Sequence, residues 1–397
     1  MNKNELVSDL RSGFLISLIA LPLCLGVSMA SGCPPIAGVI TAMVAGLVSS
    51  FLGSSRLTIK GPAAGLIVII VGAVYELGQG DMILGYQRCL AVGVAAAILQ
   101  IILSQLNVGR FGKLMPPSVI HGMLAAIGII IMAKQIHVLL GVVPISKTPF
   151  ALIAELPTSI LQANPLVLLM GLITLLIITC SFIKKIPPTL VALTIVVPVA
   201  FYLKLDSEFL VALPKSFWAS FSFPDFSALA SFTGIKYVFI LTLVGSLESL
   251  LTVIALDKDS DLNKDLFSVG VGNLIASLLG GLPMISEVVR SKANVDAGAK
   301  THWSNFFHGA FLLIFVTLLT PVIQLIPLAA LAAMLLVTGF RLASPQEFYK
   351  TYKQGIDQFC IFTVTCLITL KVDILVGVAV GILLTYLLSL SRSLAKN

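Results

Sequence analysis

Residues 280–294 read Gly280-Gly281-Leu282-Pro283-Met284-Ile285-Ser286-Glu287-Val288-Val289-Arg290-Ser291-Lys292-Ala293-Asn294, a glycine-rich, charged interruption between two long apolar segments. The Gly-Gly pair and the proline end one hydrophobic helix, and the following residues fit an extended strand. Ser286 is the predicted N-cap of a short helix that begins at Glu287 and carries Arg290 one turn in. An arginine within a span must face water or a carboxylate, and a free helix N-terminus attracts anions. The stretch therefore predicts a broken membrane helix with an anion-binding tip.

A weaker copy of this pattern lies in the first half of the chain. Leu47-Val48-Ser49-Ser50-Phe51-Leu52-Gly53 resembles Leu274-Ile275-Ala276-Ser277-Leu278-Leu279-Gly280 before the second interruption. An ungapped register then sets Leu57-Thr58-Ile59 opposite Met284-Ile285-Ser286. Gly61-Pro62-Ala63-Ala64-Gly65 opens a second short helix, with proline in its first turn. Interrupted segments at corresponding positions of two halves point to the binding site of an inverted-repeat transporter. Two half-helices are predicted to meet tip to tip.

The composition excludes a soluble protein. The 397 residues are 58% hydrophobic and 11% charged, with a mean hydropathy of +1.05, which predicts a single transmembrane domain over 1–397. The first apolar run, Phe14 to Ala30, leads into another, so it is a first span rather than a cleaved signal. We expect a multi-pass protein of the lipid bilayer, in a bacterial inner membrane.

The net charge of +7 reports topology rather than nucleic-acid binding. The basic residues fall at the termini or in every second short loop, as the positive-inside rule requires. Both termini are therefore predicted to be cytoplasmic, and no nucleic-acid partner is expected. The residues concerned are Lys3, Arg11, Arg110, Lys113, Lys184, Lys185, Lys258, Lys264, Lys300, Arg341, Lys350, Lys353, Arg392 and Lys396.

The apolar segments predict an all-α polytopic membrane protein with 14 transmembrane segments, arranged as a 7+7 inverted repeat in which short strands precede half-helices 3 and 10. The first repeat covers 1–205 and the second 228–397, and the intervals 141–163 and 204–232 are predicted loops. The predicted segments cover 12–30, 36–51, 63–77, 86–106, 119–140, 166–183, 190–203, 231–256, 266–279, 287–297, 306–319, 328–340, 358–370 and 374–390.

Glu248 is the only carboxylate that the pattern places deep in a full-length span, and such a residue is a functional candidate by default. It is either the proton or cation coupler or a buried partner that neutralises Arg290. Thr252 shares its helix face and adds a hydroxyl, although such hydroxyls more often bond to their own backbone.

Two cations mark the interruptions. Arg290 is either a direct or water-mediated anion attractor or a purely structural ion-pair member, since Glu287 offers a local partner. Lys60 either deepens the positive field at the first interruption or extends its ammonium to cytoplasmic water.

Enzyme chemistry has no support in the sequence. The six cysteines show no CxxC spacing, the four histidines show no metal-ligand spacing, and no catalytic triad, Walker loop or HExxH motif occurs. No metal, no cofactor and no ATP-driven activity are expected.

Several motifs run in order along nearly the whole chain, and in combination they resemble the sulfate permease (SulP) family of anion transporters. They are Asp9-Leu10-Arg11-Ser12-Gly13, Ala30-Ser31-Gly32-Cys33-Pro34-Pro35-Ile36-Ala37-Gly38, Lys60-Gly61-Pro62-Ala63-Ala64-Gly65, Val289-Arg290-Ser291-Lys292-Ala293-Asn294 and Ile326-Pro327-Leu328-Ala329-Ala330-Leu331-Ala332-Ala333.

The resemblance implies a core domain of about 1–106 and 231–320 that slides, as an elevator, against a gate domain of about 117–204 and 325–393. It implies a homodimer and a small inorganic anion such as sulfate, bicarbonate or chloride, with a mild preference for bicarbonate. The anion site lies between the tips of half-helices 3 and 10. The implied residues are Leu23, Val27, Ala63, Ala64, Val289 and Arg290, with Glu248 from span eight, beside Ser286 from the broken stretch.

Three departures from the family pattern bear on function. Most relatives continue into a cytoplasmic STAS domain, which these residues do not include. Lys60 stands where relatives more often have a small polar residue. Thr252 stands where sodium-coupled relatives have a second acid, which favours proton coupling or exchange. The competing predictions are a sodium-coupled anion symporter, a nucleobase or weak-acid proton symporter, an uncoupled anion channel and a non-transporting scaffold.

Overall fold

The computed structural model describes residues 3–53, 55–109, 116–146, 148–180, 187–214, 217–257, 259–372 and 374–394. Part of the predicted charge pattern lies outside these residues, as does the end of the predicted segment 166–183. The basic residues concerned are Arg110, Lys113, Lys184, Lys185, Lys258 and Lys396.

The first half of the chain supplies seven predicted segments and one helix that the sequence did not predict. In chain order the helices are α1 (Lys3–Ala30), α2 (Pro35–Leu52), α3 (Ala64–Gly78), α4 (Met82–Gln105), α5 (Pro117–Leu139), α6 (Pro149–Leu161), α7 (Pro165–Cys180) and α8 (Pro188–Tyr202).

The second half repeats the plan. Its helices are α9 (Phe232–Leu256), α10 (Leu262–Leu278), α11 (Val288–Asp296), α12 (Trp303–Leu318), α13 (Leu328–Leu342), α14 (Pro345–Lys353), α15 (Ile356–Lys371) and α16 (Ile374–Leu394). With α6 and α14 set aside, seven segments in each half form the predicted 7+7 inverted repeat.

Local sequence explains where many of these helices begin. Proline opens α2, α5 and α8, where its missing N–H would be unpaired in any case. Asp81 caps α4 by accepting from the N–H groups of Ile83 and Leu84, and Asp261 caps α10 in the same way. These caps end the loops and start the apolar helices at the predicted places to within a few residues.

Six described helices are long and apolar enough to cross a membrane by length and composition: Asn4–Ala30, Pro35–Leu52, Met82–Gln105, Pro117–Leu139, Phe232–Leu256 and Leu328–Lys353. A further pair, α6 and α7, passes that test only when joined, and the two helices are bent by 118°. The interval 141–163 is therefore not all loop as predicted, because Pro149 starts a helix within it.

Two short strands join the halves. β1 (Lys60–Pro62) pairs antiparallel with β2 (Met284–Ser286), with Gly61 opposite Ile285. The predicted strands are confirmed, but the ungapped register was wrong. The strand of the first half begins at Lys60 rather than at Leu57, because three more residues separate it from Gly53 than the second half uses after Gly280.

Helix packing places the strands at the centre. α10 packs on α4, α1 packs on α12, and α3 packs on α4, while α13 and α15 both pack on α5. One apolar cluster joins α3, α4 and α9 to α5, with Ile70, Val92 and Ile127 fully buried. The division into a core and a gate domain stays a prediction. The first turn of α3 packs against both α5 and α13.

Candidate functional site

The tip of α11 is built by Glu287. This residue is the N-cap, and its side chain accepts a hydrogen bond of 2.8 Å from the backbone N–H of Arg290. The prediction of Ser286 as N-cap was wrong, because Ser286 belongs to β2. Its hydroxyl is 3.1 Å from the hydroxyl of Ser249 and 3.3 Å from a carboxylate oxygen of Asp265. A carboxylate at the first turn also complements the positive end of the helix.

Arg290 is buried behind this tip, with 2% of its surface exposed. Its Nη2 donates to the backbone oxygen of Pro62, and its Nη1 lies 3.4 Å from the sulfur of Cys24. Its Nε lies 3.6 Å from a carboxylate oxygen of Glu287. One guanidinium therefore connects α11, β1 and α1, as a planar group with five donors can.

Both half-helices begin on a single cavity of about 430 Å³, which we call the tip cavity. Ala63 and Ala64 from the first interruption line it, as does Val289 from the second. The other lining residues are Gly65, Pro117, Ile120, His121, Leu124, Glu248, Leu251, Thr252, Ile254, Ala255, Ile285, Glu287, Val288, Thr338, Arg341 and Leu342. The walls are mostly apolar, with a few polar groups, as is usual for a small-ligand site.

The remaining predicted site residues lie outside the lining of the tip cavity. Leu23 packs against a cluster that contains Met334, and Val27 is buried in the central cluster. Arg290 and Ser286 lie behind the tip, where they hold it in place. Lys60 lies in β1, opposite Ser286.

Glu248 is the buried one of two acids that line the tip cavity, the other being Glu287. The side chain is buried, and its Oε1 has no hydrogen-bond partner among the described residues. The carboxyl group lies against Gly65, so closely that a β-carbon at that position would overlap it. Glycine at position 65 therefore lets the carboxyl reach the first turn of α3. No ion pair joins Glu248 to Arg290 in the described part of the chain, which does not support the alternative that Glu248 neutralises Arg290; the acid beside Arg290 is Glu287.

The hydroxyl of Thr252 donates to the backbone oxygen of Glu248 at 3.1 Å. This is the ordinary backbone bond of a threonine in a membrane helix. The side chain still lines the tip cavity through its remaining atoms.

Lys60 forms an ion pair with Asp265 of α10, with 2.9 Å between Nζ and Oδ1 and side-chain exposures of 2% and 0%. Lys60 therefore does not extend to the cytoplasmic water, and Asp265 neutralises its charge. Sequence reasoning missed Asp265 because it assigned the residue to the polar loop 257–265. The Asp261 cap was the available signal, since a cap at that position places Asp265 inside the helix.

Lys60→Met is expected to destabilise the protein by about 3 to 5 kcal/mol, since it leaves the Asp265 carboxylate buried without its cationic partner. The double variant Lys60→Met/Asp265→Leu should recover most of that loss. Thermal unfolding in detergent measures both. Lys236→Met is the matched control, because it breaks a half-exposed pair with Glu76 and should cost about 1 kcal/mol or less. Equal effects of the two lysine variants would contradict the buried-pair argument.

Sequence reasoning also missed the wall opposite the tips. His121 of α5 and Arg341 of α13 line the tip cavity from that side. No local motif marks either residue, because their position depends on how α5 and α13 pack. Within the described ranges, no group of three or more histidine, cysteine or acidic side chains could hold a metal ion.

Fold and site together define a multi-pass membrane protein with an inverted repeat and a central cavity between two broken helices, the architecture of a membrane transporter. The sulfate permease family matches residues 6–365 of the chain. The chain belongs to the sulfate permease family, whose members are anion transporters.

Individual relatives are similar over most of the chain. The chain is 27% identical to the putative sulfate transporter YvdB of Bacillus subtilis over 392 residues, which cover 95% of this chain and 72% of that protein. It is 26% identical to the bicarbonate transporter BicA of a Picosynechococcus species over 401 residues, which cover 97% and 70%.

Two solved structures share the fold. The transmembrane domain of a cyanobacterial bicarbonate transporter BicA superposes with a TM-score of 0.83 at 24% identity, covering 96% of this chain and 98% of that one. Murine Solute Carrier 26 family member A9, an anion transporter in the inward-facing state, superposes with a TM-score of 0.87 at 16% identity, covering 99% and 69%.

Proposed function

We propose that this chain is a secondary-active, elevator-type transporter of a small inorganic anion, bicarbonate or sulfate, coupled to protons or working by exchange. The tip cavity is the observation that carries the proposal. Two half-helix N-termini begin on it, and one buried carboxyl group lies at its wall. Membership of the sulfate permease family, and similarity to a putative sulfate transporter and a bicarbonate transporter, support the substrate class.

The anion would be held by backbone rather than by a side-chain cation. Each helix N-terminus carries roughly half a positive charge and unpaired N–H groups. Ala64 and Gly65 on one side, and Val288 and Val289 on the other, bring those groups to the cavity. Their small or apolar side chains leave room for a ligand of a few atoms. Arg290 supports this arrangement from behind by tying the tip of α11 to Pro62.

Glu248 is the proposed proton carrier. Its carboxyl group touches the first turn of α3, so an ionised carboxylate there repels a bound anion. At about 4 Å and an effective dielectric constant near 20, this repulsion amounts to about 4 kcal/mol. Protonation of Glu248 removes the repulsion, which makes binding of the proton and binding of the anion mutually favourable.

The deciding experiment is uptake of labelled bicarbonate and labelled sulfate by the purified protein in liposomes, with inward proton and sodium gradients imposed separately. Saturable uptake of one anion that follows the proton gradient is expected. Uptake that follows only sodium would favour the sodium symporter, and flux that ignores every opposing ion would favour a channel. No uptake of either anion, with or without a counter-anion inside, would contradict the proposed function.

The membrane arrangement follows from the charge pattern. We propose that both termini face the cytoplasm of a bacterial cell and that the tip cavity opens on the same side. Arg341 of α13 and Pro117, at the start of α5, line the tip cavity, and the sequence places basic residues at Arg341 and shortly before α5. A homodimer is the proposed assembly, from family membership alone.

A further inference from the structure

Charges in the tip cavity are segregated between two walls. Glu248 of α9 and Glu287 at the start of α11 lie on the wall that carries the tips. His121 of α5 and Arg341 of α13 lie on the wall that faces them. No ion pair joins Arg341 to either acid in the described ranges of the chain. An anion that enters this cavity therefore meets the guanidinium of Arg341 on the α5/α13 wall.

Arg290 does not take over that role. Its guanidinium is directed to the backbone oxygen of Pro62 and to Cys24, and it is not part of the cavity lining. Arg341, by contrast, is exposed at the end of α13. Its charge can attract an anion from solution without breaking a bond inside the protein.

A second cavity of about 370 Å³ lies at the other end of the same two helices, and we call it the far cavity. Lys134 of α5 lines it, and the ammonium group donates at 2.8 Å to the backbone oxygen of Ala30, the last residue of α1. Glu208, on a short turn after α8, is the acid in its lining. The far cavity thus lies between the end of α1 and the α5/α13 pair.

The two cavities lie along the same helix pair, α5 and α13. Thirteen residues of α5 separate His121 from Lys134, which corresponds to about 20 Å along the helix. Ile127 and Ile131 lie between them, are buried, and belong to the same apolar cluster as Leu335 of α13. Leu335 lines the far cavity, and Thr338, one turn later, lines the tip cavity. An apolar layer therefore separates the two cavities along one helix pair.

We propose that the far cavity is the opposite-face vestibule for the same anion, and that Arg341 and Lys134 are the cations that draw the anion in, one at each face. This inference rests on the proposed transport function. Both cations lie on the α5/α13 pair, Arg341 at the tip cavity and Lys134 at the far cavity, so each acts before the anion crosses the apolar layer. Each should then affect binding from its own face only.

The test is initial uptake of labelled bicarbonate and sulfate in inside-out and right-side-out membrane vesicles. Arg341→Gln should raise the half-saturating concentration about fivefold at the face that carries the start of α5, with little change at the opposite face. Lys134→Gln should do the reverse. Glu208→Gln should lower the half-saturating concentration at the far face. Lys353→Gln, on α14, is the control for an exposed lysine outside both cavities and should change neither.

Each outcome is decisive. If the half-saturating concentration changes equally at both faces, or at neither, Lys134 serves only to cap α1 and Arg341 only to offset the negative end of the α13 dipole. That result would overturn this inference but leave the proposed transport function intact. If Lys134→Gln folds poorly, Lys134→Arg keeps the positive charge and should restore the wild-type half-saturating concentration at the far face. Failure to restore that value would also overturn the inference. A wild-type protein that carries neither anion would remove the proposed function and this inference together.

Discussion

Arg290→Ala is expected to abolish concentrative anion uptake while the protein still inserts and folds. The guanidinium connects α11 to Pro62 of β1 and to Cys24 of α1. Its removal takes a donor from the buried Pro62 oxygen and a cation from Glu287, whose side chain is 17% exposed, and leaving a buried acceptor unpaired costs about 1 to 3 kcal/mol. The two half-helix tips then lose their fixed separation, and the cavity between them loses its shape. Uptake by reconstituted protein and unfolding temperature in detergent measure the two effects separately.

Arg290→Lys separates charge from geometry. Lysine keeps the positive charge, but its single ammonium cannot replace the fork of donors that reaches several partners at once. We expect uptake by this variant to remain well below wild type. Recovery by lysine would indicate that Arg290 acts as a charge that attracts the anion, and wild-type uptake in the alanine variant would remove Arg290 from the site altogether.

Glu248→Gln should abolish the pH dependence of uptake and the ability of a proton gradient to drive accumulation. Glutamine has a similar shape but cannot take up or release a proton, so the group that touches the first turn of α3 no longer changes charge. Anion exchange down its own gradient should persist. The measurement is uptake across a series of external pH values, with and without an imposed proton gradient. An unchanged pH profile would reduce Glu248 to a structural role.

Gly65→Ala tests the same contact from the other side. A β-carbon at position 65 overlaps the Glu248 carboxyl group and must displace it from the tip. Loss of proton coupling is expected with the acid itself intact. Gly80→Ala is a poor comparison because its backbone is left-handed, whereas Gly245→Ala meets only ordinary contacts on the same helix as Glu248 and should transport normally.

Much of the fold followed from the sequence because the bilayer restricts the choices. Apolar runs must form helices when no water is present to satisfy the backbone, so the segments such as 231–256 were predicted within a few residues of the helices found. The interval 280–294 likewise predicted a broken segment, because it combines Gly-Gly, a proline and charged residues between apolar runs. The ungapped alignment of the two interruptions placed the first strand three residues too early, because loop length between corresponding elements is free to vary.

By itself, the sequence determined the class of protein, the repeat and the positions of the two broken helices, since these depend on hydrophobicity, helix breakers and costly charges that are local along the chain. Only the tertiary structure decided what each charge does. No partner for the charge of Lys60 was evident in the sequence, whereas in the fold Asp265 neutralises it. Arg290 lies behind the tip, and Glu248 touches Gly65, which is 183 residues away in sequence. His121 and Arg341 join the cavity because α5 and α13 pack together. Such contacts connect distant parts of the chain, and no local pattern encodes them.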